Sequence, residues 1–213
     1  MSSVIKIADS LVDQYLGSLT NVLIPEICAK SNIKIPEGKS QPEGFWTHSY
    51  IIGFFTSYIA LYSQTLNLTQ DFGIGRAFND EDKSKIMNRV LERICPDEKE
   101  QFMLKNLEID KKLKETGDPS TAYDEDYTKA NSDVTKAWCL FHDEAPIKIK
   151  QLLNIPEITP QLLDEPEVKM AKEHAVREVS SASGDPLSFY AKMGLMLSDI
   201  YIKEHIHLQY IKK

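Results

Sequence analysis

From Gly44 to Gln70 the chain reads GFWTHSYIIGFFTSYIALYSQTLNLTQ, 27 residues without one charged side chain. A stretch that long has two outlets. About 20 apolar residues suffice to cross a bilayer, and a helix apolar all round is otherwise buried in a protein core. Here Thr47, His48, Ser49, Thr56, Ser57, Ser63, Gln64, Thr65 and Asn67 dilute the apolar content, and no basic cluster anchors either end. The segment reads as the central buried helix of an all-α protein, not as a membrane span. Trp46, Phe54, Phe55, Tyr58 and Tyr62 supply bulk, while Gly53, Ser57 and Ala60 form a strip of small residues where a neighbouring helix can come close.

The rest of the chain is punctuated in the same manner. Ala8, Leu11, Tyr15, Leu19 and Val22 predict an amphipathic helix over 3–24, which Pro25 kinks or restarts. Pro36, Gly38, Pro42 and Gly44 make 33–44 a loop. Asn79 or Asp80 caps a helix carrying Ile86, Met87, Val90, Leu91 and Ile94, and Pro96 stops it. A charged helix with Phe102, Met103, Leu107 and Leu113 inside ends at Gly117. Asp118-Pro119 then opens a helix with Tyr123, Tyr127, Ala130, Val134, Ala137, Trp138 and Phe141 on one side.

Pro146, Pro156, Pro160 and Pro166 cut the following segment into short pieces anchored by Leu152, Leu153, Leu162 and Leu163. A helix over 166–182 carries Val168, Ala171, Ala175 and Val179, and Ser180–Gly184 is a turn. Asp185-Pro186 caps a last helix that is apolar on two sides, with Tyr190, Met193, Leu197, Tyr201 and Leu208 on one and Phe189, Met196, Ile202 and Ile206 beside it. No segment alternates like a strand and no period repeats. The expectation is an all-α, single-domain bundle of about six or seven helices over 1–213, with a sub-division near 72–80.

Composition limits the function classes. Hydrophobic residues make up 42% and charged residues 27%, which excludes a disordered chain. A net charge of −7 argues against nucleic acid, whose binding rests on neutralised phosphates. Lys111, Lys112 and Lys114 lie among Glu108, Asp110 and Glu115, a solvated helix face. Cys28, Cys95 and Cys139 are odd in number and far apart, so neither a disulfide framework nor a zinc site is indicated. Together with an N-terminus that carries Asp9 and Asp13 and no cleavage site, this predicts a cytoplasmic protein. The acceptor pattern Asn67-Leu68-Thr69 carries no weight in that setting.

Four constellations bear on chemistry. His142-Asp143-Glu144 falls at a helix end, and its first two residues resemble the pair with which metal-dependent phosphohydrolases of the HD class hold a divalent cation. His48 would be the earlier histidine of such a site and Asp185 or Asp199 the later carboxylate, but His48 lies far from His142 in sequence with no second histidine beside it, and an ordinary polar helix terminus is the better explanation of the pair. In Glu204-His205-Ile206-His207 the histidines point about 200° apart on a helix and cannot share one metal ion. Asp124-Glu125-Asp126 either complements a helix dipole or docks a basic partner. Phe72-Gly73-Ile74-Gly75-Arg76 lacks the third glycine, the lysine and the preceding strand of a nucleotide loop, and reads as a hinge.

No motif places the chain in a family. The leading expectation is a non-catalytic protein that binds another protein as an adaptor, inhibitor or regulator, without cofactor, nucleic acid or membrane. Asp124, Glu125 and Asp126 would meet the partner, and the C-terminal helix is a candidate homodimer surface. A second reading is an HD-type phosphohydrolase with a divalent metal on His48, His142, Asp143 and Asp199. A third is a helical bundle that takes a small apolar ligand beside Tyr50, Phe54, Tyr58 and Tyr62.

Overall fold

The computed structural model describes residues 3–69, 74, 76–181 and 187–211. Among these residues there are eleven α-helical segments and no strand. None of those helices is long and apolar enough to cross a membrane. The chain divides into two compact units, residues 1–132 and 133–213. The helix count exceeds six or seven because two expected helices divide and the proline-cut segment after Pro146 forms two short helices of its own.

In the first unit, helix α1 (Ser3–Leu11) continues through widened π-helical turns at Val12–Leu16 and Leu19–Leu23 into α2 (Ile24–Lys30). The cause is legible in the spacing. Val4, Ala8, Val12, Leu16, Thr20, Ile24 and Cys28 are all buried, a strict four-residue repeat. Each four-residue step on a regular helix overshoots one turn by about 40°, so six steps would carry the buried face about 240° around. Six regular turns take about 22 residues. Val4 and Cys28 are 24 apart, and the two widened turns absorb the difference. The same shift turns Val22 to solvent and leaves Tyr15 half-buried, where a regular helix would bury both.

Pro25 shapes the second widened turn. The Ile24 N–H donates to Leu19, five residues back, and Pro25 has no N–H at all. The buried Thr20 carbonyl thus loses the donors of both the four-residue and the five-residue register. Gln41 Nε2 donates to it at 3.0 Å, and Gln41 Oε1 accepts from Trp46 Nε1 at 3.2 Å. A missing amide in a helix therefore fixes the loop that follows it.

Helix α3 (Ser49–Thr69) is the uncharged segment, and from Tyr50 to Ile59 every residue but the half-buried Thr56 is buried. Two of its polar residues bond the helix itself: Ser63 Oγ donates to Ala60 O and Thr65 Oγ1 to Leu61 O. Gly53 admits the backbone of α7, since a Cβ there would stand 2.9 Å from Tyr127 O. Ala60, expected in the same strip, is exposed.

Helix α4 (Asp80–Ile94) begins with a reciprocal capping box between Asn79 and Asp82, packs on α1 and α3, and buries Ile86, Val90, Leu91 and Ile94. Helix α5 (Lys99–Thr116) buries Phe102 and Asn106, while Leu107, expected inside, is 55% exposed. Asn106 takes the interior place because Thr56 Oγ1 donates to its Oδ1 at 3.2 Å. Asp118 caps only a short α6 (Pro119–Ala122). Tyr123 then turns extended, and Asp124 opens α7 (Glu125–Phe141) by accepting from the Tyr127 N–H at 2.8 Å.

The expected hinge is only partly described. Phe72, Gly73 and Gly75 lie outside the described residues, but Ile74 N–H donates to Asn67 Oδ1 at 2.7 Å and Asn67 Nδ2 donates to Arg76 O at 2.9 Å.

The second unit comprises the rest of α7, α8 (Ile147–Leu153), α9 (Pro160–Asp164), α10 (Pro166–Ser181) and α11 (Phe189–Tyr210). Of the four expected leucine anchors Leu153 is buried, Leu162 is half-buried, and Leu152 and Leu163 are exposed. Helix α10 lies along α11, burying Val168, Ala171 and Ala175. On α11 Met193, Leu197, Tyr201, Ile202 and Ile206 are buried as the periodicity predicts, and Leu208 is exposed. Gly194 permits a still closer approach, since a Cβ there would lie 2.5 Å from Ala137 O and 2.6 Å from Phe141 N. Ser188, accepting from the Ala191 N–H, caps α11. Asp185-Pro186, residues 182–184 of the expected turn and the side chain of Val179 lie outside the described residues.

Candidate binding cleft

The Gln41 contact has a consequence at the surface of the first unit. It pins the loop whose residues Pro36 to Thr47 form one wall of a cleft of about 470 Å³. The opposite wall is the turn between α4 and α5, where Pro96 ends one helix and Asp97, Glu98 and Gln101 face the opening. Trp46 is locked at the base against Phe45, Phe55 and Phe102, with ring centroids 5.1, 4.8 and 6.3 Å away. The cleft is thus an irregular loop held over a rigid aromatic base, the usual way in which a stable scaffold presents a recognition surface.

Its electrostatics centre on Lys39. The ammonium lies 2.6 Å from Asp97 Oδ2 and 2.8 Å from Glu98 Oε1. Hydrogen bonds to Asp97 and Glu98 raise its pKa above the ordinary lysine value. Glu43 is a third carboxylate in the lining, so three acids face one base there. Such a surface favours cations, and its openness to solvent makes that preference dependent on ionic strength.

The residues singled out by sequence have other surroundings. Asp124 is the N-cap of α7, with Glu125 and Asp126 in its exposed first turn, where the helix dipole favours them. Tyr50, Phe54, Tyr58 and Tyr62 are buried and form one continuous stack, with successive centroids 6.2, 5.8 and 4.1 Å apart, and Tyr15 covers its far end at 5.7 Å. The rings fill one another's space, and none of them lines the cleft.

His48 belongs to the first unit, whereas His142, Asp143 and Asp199 belong to the second. His142 is 4% exposed and sits edge-on to Trp138 and Phe141. Burial, aided by the Lys150 charge, pushes its imidazole down to about 4. The Lys150 ammonium hydrogen-bonds the Asp143 carbonyl and lies 3.8 Å from its carboxylate. Asp199 is exposed, and Asp185 lies outside the described residues. Among the described residues, no group of three or more His, Cys, Asp or Glu could hold a metal ion. His205 is buried and His207 exposed, in keeping with their opposite directions on α11. Burial also pushes the Cys95 thiol up to about 12 and the Cys139 thiol to about 11, which keeps both protonated and poorly nucleophilic.

Sequence reasoning overlooked Lys39, Asp97 and Glu98. The signal within reach was a proline- and glycine-rich loop of 12 residues ending beside a tryptophan, since long irregular loops in compact proteins are commonly functional. No protein-family model, curated protein or solved structure matches the chain.

Proposed function

We propose that this chain is a non-catalytic helical protein that acts by binding another protein, and that the cleft over Trp46 receives a basic segment of that partner. The observation that carries the reading is the Lys39 ammonium held between Asp97 and Glu98 at the cleft wall, with Glu43 as a further acid in the lining. A wall that already binds one cation through two carboxylates has the chemistry to bind another. Asp124 caps α7 through one carboxylate oxygen and stays exposed beside Glu125 and Asp126, and the cleft adds a second acidic surface to that one.

Calorimetric titration with a short peptide of alternating arginine and glycine tests the reading, with a glutamate–glycine peptide of equal length as control. Saturable one-to-one binding of the basic peptide is expected, weakening as salt is raised and lost in the Asp97→Asn/Glu98→Gln double variant. Equal binding by a double variant that retains the wild-type circular dichroism would overturn it.

A further inference from the structure

We infer that α5 carries a self-complementary seam on its outer face, through which two copies of this chain pair as a weak antiparallel homodimer.

Helix α5 is lightly packed for its length. Of its 18 residues only Phe102 and Asn106 are buried, whereas a helix in a protein owes most of its stability to the burial of an apolar face. Its outer side holds Leu104 and Leu107, which are 62% and 55% exposed. They are the two most exposed large apolar side chains among the described residues of the first unit. Three residues apart, they stand side by side on one face of the helix. Glu100, Leu104, Leu107 and Lys111, all exposed, follow one another at spacings of four, three and four. That alternation is the seam along which two helices pair side by side. None of the four residues lines the cleft.

The order of side chains along the seam fits a second copy running in the opposite direction. A two-fold axis passing between Lys105 and Asn106 sets Leu104 against Leu107 of the partner subunit, and Glu100 against Lys111 of the partner subunit. Each contact then occurs twice, which is the condition for an isologous interface. The leucines exclude water at the centre, and opposite charges meet at both ends. A parallel pairing would oppose acid to acid and base to base. Lys111 lies 3.8 Å from Glu115 of its own helix, an exposed and long contact that offers little competition. A second copy is therefore the occupant that this seam fits, since the chain itself supplies the acid, leucine, leucine, base order that complements it. The contact is a single helix face, smaller than a standard protein interface, so pairing is weak and depends on concentration.

Sedimentation equilibrium of the full chain from about 10 μM to 1 mM tests the seam. The mass should rise from that of one chain toward that of two across this range. Leu104→Gln/Leu107→Gln, which alters only exposed positions, should stay monomeric throughout, while Leu208→Gln on α11 should pair as the wild type does. Glu100→Lys and Lys111→Glu should each weaken pairing about tenfold when studied alone. Their equimolar mixture should recover it, because one copy then brings two bases to the flanks of the seam and the other two acids. A wild type that stays monomeric to the top of the range overturns the inference. So does a dimer that survives Leu104→Gln/Leu107→Gln or is lost in Leu208→Gln, which would place the contact on another face. Charge variants that keep the wild-type circular dichroism but fail to recover pairing on mixing overturn the antiparallel arrangement.

Discussion

Replacing Gln41 by methionine tests how a proline in one helix shapes the loop beyond it. The side chain keeps its length but loses both ends of its polar contact. The Thr20 carbonyl and the Trp46 indole N–H, bonded to Gln41 at 3.0 and 3.2 Å, are left without that partner. An interior polar group deprived of its bond costs about 1–3 kcal/mol, so the pair sets a range of about 2–6 kcal/mol. Gln41 lines the cleft and water can reach its edge, which places the expected loss near the lower end, at about 2–3 kcal/mol. The decisive comparison is a double-mutant cycle with Pro25→Ala. An amide N–H restored at position 25 can reach the Thr20 carbonyl in the five-residue register, so Gln41→Met should be about 1 kcal/mol less damaging in that background. Urea unfolding followed by far-UV circular dichroism supplies the four stabilities. Additivity within about 0.3 kcal/mol would refute the claim that Pro25 orphans the carbonyl.

The remaining predictions concern the second unit. His142 has an imidazole depressed to about 4 in the folded state, so between its unfolded value, about 6.5, and 4 the unfolded chain binds the extra proton and stability falls as the pH is lowered. Between pH 7.5 and 5 this loss should be about 2 kcal/mol and absent from His142→Gln, as read from urea midpoints; a wild type and variant with the same pH slope would contradict the burial argument. Gly194→Ala should destabilise by about 2 kcal/mol, even though alanine is worth about 1 kcal/mol more than glycine in a helix interior. Its methyl meets the α7 backbone at 2.5–2.8 Å, and an equally stable variant would show that the close approach of α11 to α7 is not present.

The parts of the fold legible in sequence are those in which burial follows a regular helical period. Ala130, Val134, Ala137 and Trp138 on α7 and Met193, Leu197 and Tyr201 on α11 are buried as the spacing predicts. The uncharged segment forms a buried helix because no other environment in a helical protein accepts it on all sides. Leu107 and Asn106 exchange places because a hydroxyl on α3, 50 residues away in sequence, decides which of them goes inside. Asp118 and Asp124 both cap helices, and the hydrophobic pattern running through Tyr123 conceals the break between them. The cleft was hidden for the same reason as Asn106: Lys39 and its two acids are brought together only by the tertiary fold.

The widened turns also set the kinds of change the N-terminal helix can absorb. A helix that uses 24 residues where six regular turns need about 22 carries surplus length at defined places. Losing one residue within Val12–Leu16 converts that turn to the regular form and leaves the downstream side chains facing the core. The same deletion in α1 rotates everything after it by about 100°. Within Leu19–Leu23 a deletion preserves the phase but removes the orphaned carbonyl that Gln41 serves, and with it the anchor of the loop. For this segment the count of residues between landmarks carries as much structural information as their identities, and natural variation in its length should concentrate at the first widened turn.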